Sequence, residues 1–220
     1  MAYVDFVSDL HKATKRDYIG RVTSDDKAEC AKVAKQYGYD YWDGDRKYGY
    51  GGYRYDGRWR PVAQRMVDYY HLKSGQKVLD VGCGMAYLLY ELTQVVPGIE
   101  VYGIDISQYA LEHAKEEIRD RLQFGQAQDI HFEDNEFDLV ISLTTLHNLR
   151  VFDLKKAIQE IVRVSRANSY IMVESYRNDR EEMNMLYWQL TCASYYSVDE
   201  WEWLYKEWGY KGDYSFIFFE

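Results

Sequence analysis

Long apolar runs, paired cysteines and a basic surface are all missing from this chain of 220 residues. No run approaches the ~20 apolar residues that cross a bilayer, which argues against a membrane protein. The opening Met1-Ala2-Tyr3-Val4-Asp5 has neither a basic nor an apolar stretch of the kind that directs secretion. The three cysteines, Cys30, Cys83 and Cys192, are odd in number, widely separated and without a C-x-x-C pair. That pattern excludes a disulfide framework and a zinc site, and it suits a reducing, cytoplasmic compartment. No metal ligands are expected. A net charge of −9 lowers the odds of a nucleic-acid substrate, since phosphate-backbone binding relies on a basic face.

What is present is an alternation of strand and helix signals. Strands are predicted at 77–81, 100–105, 122–125, 137–142 and 169–174, and helices at 85–96, 107–120, 153–165 and 178–191. Such alternation predicts an α/β protein: a doubly wound, mostly parallel sheet with both faces covered. A capping box at Ser197-Val198-Asp199-Glu200 opens a last helix that stops at Gly209, and Tyr214 to Phe219 reads as a strand. Ahead of this unit, helices are predicted at 5–17 and 25–36, the second capped from among Thr23, Ser24 and Asp25. Pro61 starts another that runs to about Leu72. The expected division is a helical, aromatic lid extension over 1–74 and a ligand-binding domain over 75–220.

The most informative segment is Val78-Leu79-Asp80-Val81-Gly82-Cys83-Gly84-Met85-Ala86. An apolar strand ends in an acid, and two glycines spaced G-x-G open a helix, so a nucleoside-bearing ligand can approach the backbone there. A dinucleotide fingerprint requires a third glycine at position 87, which is Tyr87. Asp80 would repel a pyrophosphate and attract a cation. The pattern describes a ligand with ribose, no phosphate and a positive charge. A second strand, Val101 to Asp105, ends in an acid 25 positions after Asp80, placed to accept from ribose hydroxyls.

Asp80-x-Gly82-x-Gly84 resembles motif I of the class I, Rossmann-like S-adenosylmethionine-dependent methyltransferases. The resemblance continues through Asp105, through Gly125-Gln126-Ala127-Gln128-Asp129, which is similar to the family's adenine-binding turn, and through Phe137 to Ser142. It covers about Lys77 to Val173. It implies S-adenosylmethionine as cofactor, held by Asp80, Gly82, Cys83, Gly84, Asp105, Ile106, Gln126, Ala127, Gln128 and Ser142. The family often has an aspartate where this chain has Gln126. Its glycine-rich turn before the fifth strand is replaced by Ser165-Arg166-Ala167-Asn168-Ser169, which reads as a changed loop. The antiparallel strand pair that usually ends the family has little room here.

Methyl transfer needs acceptor, methyl and sulfur in line, water excluded, and a base where the acceptor is a hydroxyl. His147, five residues past the fourth strand, is the candidate base, the bland alternative being a histidine bonded to local backbone. Glu174, ending the fifth strand, either orients that imidazole, binds an acceptor hydroxyl, or pairs with Arg177. The remaining histidines, His11, His71, His113 and His131, read as structural or exposed.

Tyr37 to Arg60 holds seven tyrosines, two tryptophans and six glycines, with arginines interleaved. It reads as a lid, with Tyr50, Tyr53, Arg54, Tyr55, Arg58 and Trp59 as acceptor contacts, joined by Tyr176. The alternative is that these aromatics pack the N-terminal helices onto the sheet. Met183, Leu186, Tyr187, Trp188 and Leu190 recur at helical spacing and read first as core packing, with Tyr187 or Trp188 lining the acceptor pocket as the alternative. No Asn/Asp-Pro-Pro-Tyr or Pro-Cys signature follows the fourth strand, so a small-molecule acceptor is expected. O-methylation of a sugar, sugar nucleotide or glycan precursor comes first; an aromatic metabolite, or a cofactor-binding partner or sensor without turnover, are the alternatives. Oligomeric state is open, a homodimer being one option.

Overall fold

The computed structural model describes residues 1–220. The N-terminal part contains five helices: α1 (Ser8–Lys12), α2 (Tyr18–Thr23), α3 (Lys27–Ala34), α4 (Tyr39–Trp42) and α5 (Arg60–Tyr70). The alternating part follows as β1 (Lys77–Val81), α6 (Tyr87–Val95), β2 (Glu100–Asp105), α7 (Gln108–Glu112), α8 (Glu116–Arg119) and β3 (Leu122–Phe124). It ends with β4 (Phe137–Leu143), α9 (Val151–Val164), β5 (Ser165–Glu174), α10 (Asp179–Trp188), α11 (Val198–Glu207) and β6 (Asp213–Ile217).

The six strands form one sheet in the order β3-β2-β1-β4-β5-β6, and every pairing is parallel. The strand order reverses between β1 and β4. Ligands of open α/β sheets bind at such a switch point, beyond the carboxyl ends of the strands. Asp80, Asp105 and Glu174 all lie at those ends.

Period-two alternation explains the two cores. Val78, Leu139, Ile141, Tyr170 and Met172 face one side, where they bury against Leu89 and Leu92 of α6 and Val62 and Met66 of α5. Leu79, Val81, Val140, Ile171 and Val173 face the other, against Ile158 and Ile161 of α9 and Trp201 and Tyr205 of α11. Phe6 and Val7 join the first core, so the N-terminal residues and the sheet share one apolar cluster.

Several local expectations change. Residues 5–17 do not form one helix. Asp5 Oδ1 accepts from the Val7 and Ser8 amides in a turn before α1, and Asp17 accepts from Gly20 N to start α2 separately. The cap of α3 is Asp26, which accepts from Ala28 and Glu29, in place of the three residues before it. The predicted helix over 107–120 is broken: the His113 amide closes a turn on Tyr109 and Ala110, and α8 begins anew. The loop expected at 165–169 is strand, since β5 starts directly after α9 with a register irregularity opposite Phe137/Leu139. The chain ends in a single parallel strand, not an antiparallel pair. Beside it, Val4 N donates to Tyr214 O and Tyr214 N to Ala2 O, so the N-terminal segment covers what would be an open edge.

Candidate active site

Two cavities meet at the carboxyl edge of the sheet. The first, about 550 Å³, is lined by Gly82, Asp105, Ile106, the Phe124–Gln128 turn, and Tyr37, Tyr41, Trp42 and Tyr50 from the aromatic segment. The second, about 370 Å³, holds His147 and Glu174 together with Trp59, Trp188 and several arginines. Tyr41, Tyr50, Thr144, Asn148 and Thr191 line both. These sizes suit small-molecule sites.

In the first cavity Asp105 is fixed from below: Oδ2 accepts from Gly84 N at 2.7 Å and Oδ1 from Ser107 N at 2.7 Å. Burial raises its carboxyl above the usual range, although the backbone bonds to Ser107 and Gly84 oppose the shift. Each oxygen keeps a lone pair for a ribose hydroxyl. Asp80 is buried, and its Oδ1 has no hydrogen-bond partner. Burial, aided by the Asp105 charge, pushes its carboxyl up to about 8. An orphaned acid beside a second acid favours a cationic ligand, and apolar faces from Ile106, Phe124 and Ala127 suit a purine. The residues fit a sulfonium nucleoside.

The two glycines do something the pattern alone did not indicate. Gly82 and Gly84 have φ of +83° and +54°, and the space a side chain would fill is taken by this chain itself. A Cβ on Gly82 would lie 2.1 Å from Thr145 Oγ1, and one on Gly84 would lie 2.7 Å from the Trp42 ring. Trp42 is held there by its Nε1, which donates to Ser107 Oγ at 2.8 Å.

Gln126, Ala127, Gln128 and Ile106 line the first cavity as expected. Asp80, Cys83, Gly84 and Ser142 do not line it; Asp80 lies buried behind its wall, and Gly84 is covered by the Trp42 ring. A Cβ on Gly103 would lie 2.7 Å from Cys83 Sγ, so that thiol sits close against β2, and burial raises it. The Ser142 hydroxyl donates to Val81 O at 2.8 Å.

In the second cavity the structure brings His147 and Glu174 together, with Nε2 and Oε2 3.3 Å apart and both side chains buried. The Glu174 amide donates to His147 Nδ1 at 3.4 Å, which leaves the ring proton on Nε2, facing the carboxyl. Burial lowers His147 to about 3 and raises Glu174 to about 8. The imidazole is therefore neutral, and the carboxyl is the group that titrates near neutrality. From the sequence His147 is the candidate base and Glu174 a group that could orient it; burial disfavours the charged form of both. Arg177 is not Glu174's partner; it pairs with Glu181 and Glu220.

Of the aromatic segment, Tyr50, Tyr53, Arg58 and Trp59 line the second cavity. Arg54 is exposed and lines neither. Tyr55 donates to Glu91 Oε1 at 2.7 Å, and Arg60 pairs with the fully buried Glu91 at 2.7 Å, so both fasten the segment to α6. Arg58 is occupied by Asp56, with contacts of 2.8 and 2.9 Å from Nε. Tyr176 is away from both cavities and bridges to Ser197. The cavity instead receives Arg16, Arg21 and Arg46, and Trp188 lines it, the alternative to the core role that its helical spacing suggested. His11 also lines it and is lowered to about 3 by burial and the neighbouring Arg16. No local pattern marks Arg16 or Arg21; they reach the site through the fold of the N-terminal helices.

A family model described as a methyltransferase domain matches residues 72–209. A demethylmenaquinone methyltransferase of Symbiobacterium thermophilum is 34% identical over 116 residues, covering 49% of this chain and 45% of the relative. One of Staphylococcus saprophyticus is 36% identical over 119 residues, covering 52% and 49%. The chain spans about half the length of these curated relatives. Among solved structures, the YcgJ protein of Bacillus subtilis aligns with a TM-score of 0.56 at 20% identity over 66% of each chain. A putative methyltransferase of Bacillus halodurans gives 0.54 at 18% identity over 67% of this chain and 68% of that one. At these identities the likeness is one of fold.

Proposed function

The chain belongs to the family of class I S-adenosylmethionine-dependent methyltransferases, and from that premise we propose that it methylates a small, polar, anionic acceptor seated in the second cavity. The observation that carries this reading is the shared wall. Tyr41, Tyr50, Thr144, Asn148 and Thr191 border both the nucleoside cavity and the cavity that holds Glu174.

S-adenosylmethionine, when bound, supplies an electrophilic methyl carbon on a sulfonium. Asp105 would accept from its ribose hydroxyls, and Asp80, buried behind the cavity wall, would ionise to offset the sulfonium charge. Glu174 takes the proton of an acceptor hydroxyl; its Oε2 is buried without a hydrogen-bond partner, and the neutral His147 ring packs beside it with Nε2 at 3.3 Å. A base near 8 is well matched to a hydroxyl acceptor at neutral pH. The aromatic wall keeps water from the reacting atoms.

For the acceptor itself, a sugar, sugar nucleotide or glycan precursor methylated on oxygen is supported by the hydroxyl-bearing, cationic lining. A flat aromatic metabolite is the second reading. It is favoured by Trp59 and Trp188 in the wall and by relatives named for a demethylmenaquinone substrate.

Methyl-labelled S-adenosylmethionine and a small-molecule extract should give a labelled product with the wild-type chain. Glu174→Gln should give almost none while still binding S-adenosylhomocysteine. Equal product from the variant would remove Glu174 as base. Tight cofactor binding with no product from any extract would favour a binding partner or sensor over an enzyme.

A further inference from the structure

In a chain with net charge −9, three arginines converge on the second cavity and none has a carboxylate within ion-pair distance. Arg16 from the link before α2, Arg21 from α2 and Arg46 from the aromatic segment all line it. Their guanidinium carbons lie 5.6, 5.1 and 5.2 Å from the Trp188 ring centre. Every other arginine at this site is neutralised or absent: Arg58 by Asp56, and Arg60 by Glu91 outside the cavity.

The hydrogen bonds of the three go to neutral acceptors. Arg16 donates to Thr14 O at 3.1 Å and meets His11 Nδ1 at 3.1 Å, and its Nε is buried with no partner. Arg21 donates to Arg46 O at 3.0 Å and to Trp188 O at 3.4 Å. Arg46 donates to Gly49 O. Carboxylates act on them only at a distance, Glu174 on Arg16 and Asp25 on Arg21, and Arg46 repels both other guanidiniums. His11 and His147 face the same space as neutral rings. The guanidiniums share the Trp188 ring as a cation–π partner, but they repel one another and have no anionic partner, so an anion completes the arrangement.

We propose that Arg16, Arg21 and Arg46 form the binding site for a phosphoryl dianion on the acceptor. This rests on the reading that the second cavity is the acceptor site. A single carboxylate would leave two of the three charges unmatched, whereas a phosphate or diphosphate offers two charges and several oxygens to guanidinium forks. Trp188 serves as the platform that gathers the three guanidiniums. The acceptor is thereby anchored at the arginines, and Glu174 on the facing strand end is left for the hydroxyl.

The test is calorimetric titration of the full chain, saturated with S-adenosylhomocysteine, at fixed ionic strength, using inorganic phosphate, pyrophosphate and malonate. Phosphate or pyrophosphate should bind the wild type, more tightly than malonate. Arg21→Gln and Arg46→Gln should each weaken that binding about tenfold or more, with S-adenosylhomocysteine affinity retained. If Arg21→Gln fails to fold, Arg46→Gln carries the comparison, since its bond goes only to a loop carbonyl. Absence of phosphate and pyrophosphate binding, equal binding by the folded variants, or a preference for malonate would each overturn the proposal. Failure of the wild type to bind S-adenosylhomocysteine would instead count against the methyltransferase reading.

Discussion

Trp42 lies directly on Gly84: its ring carbon Cη2 is 2.7 Å from the point a Cβ of that glycine would occupy. The aromatic segment and the nucleoside loop therefore fit together only because position 84 has no side chain. Alanine there would also be held at φ +54°, a conformation that costs an L residue about 1–2 kcal/mol. Gly84→Ala should displace Trp42 and weaken S-adenosylhomocysteine binding about tenfold or more. Gly38→Ala, where a Cβ meets nothing within 4 Å, should bind normally. Calorimetry on the two variants checks the contrast, and equal affinities would mean the contact is incidental.

Stability should depend on pH in opposite senses at the two members of the buried pair. Glu174 is raised from 4.5 to about 8, so between those values the native state holds a proton the unfolded chain has released. Its contribution is complete below about 4.5 and is lost as pH rises through 8. His147 is lowered from 6.5 to about 3. Its contribution is complete above 6.5 and is lost as pH falls towards 3. Urea unfolding from pH 4 to 9 should show Glu174→Gln resisting the alkaline loss seen in the wild type. Turnover by the wild type should rise through about pH 8 as the carboxylate forms.

Asp80 offers a charge test of the nucleoside cavity. S-adenosylmethionine carries a sulfonium charge that S-adenosylhomocysteine lacks. Asp80→Asn should weaken the first about tenfold more than the second. Parallel titrations measure the difference, and equal losses would assign Asp80 to structure alone.

The N-terminal segment is held by Phe6, which is buried among Tyr69, Tyr70 and Tyr170 with ring centres 5.6, 6.0 and 5.0 Å away. Phe6→Ala should lower unfolding stability by about 3–5 kcal/mol. Because Phe6 shares a core with the sheet strands, denaturation should remain a single transition. A separate early transition of the N-terminal residues would contradict a shared core.

Arg54 and Arg21 should separate in kinetics. Arg54 is exposed and outside both cavities, so Arg54→Ala should leave kcat and the acceptor KM within twofold of wild type, on the order expected for a surface change. Arg21→Gln should raise the acceptor KM. The reverse result would return the anion contact to the segment where the sequence suggested it.

Much of the fold and of the nucleoside edge was legible because the signals are local. The alternation Val78-Leu79-Asp80-Val81 and its counterparts set which residue of each strand faces which layer. The G-x-G spacing and the acids at 80 and 105 lie within a few residues of the turns they shape. The capping box at Ser197 formed as read. Local competition explains the misreadings: Asp5, Asp17 and Asp26 side chains bond nearby amides and move helix starts that periodicity alone placed differently.

Local sequence determined a parallel sheet with an acidic, glycine-hinged ligand edge, because backbone preference and period-two burial act over a handful of residues. Tertiary structure alone decided that Arg16, Arg21 and Arg46 meet around Trp188 and that Glu174, not His147, titrates near neutrality. Those properties come from burial and from contacts between distant parts of the chain. A carboxyl or a guanidinium acquires its site only once packing has removed the water around it and chosen its neighbours.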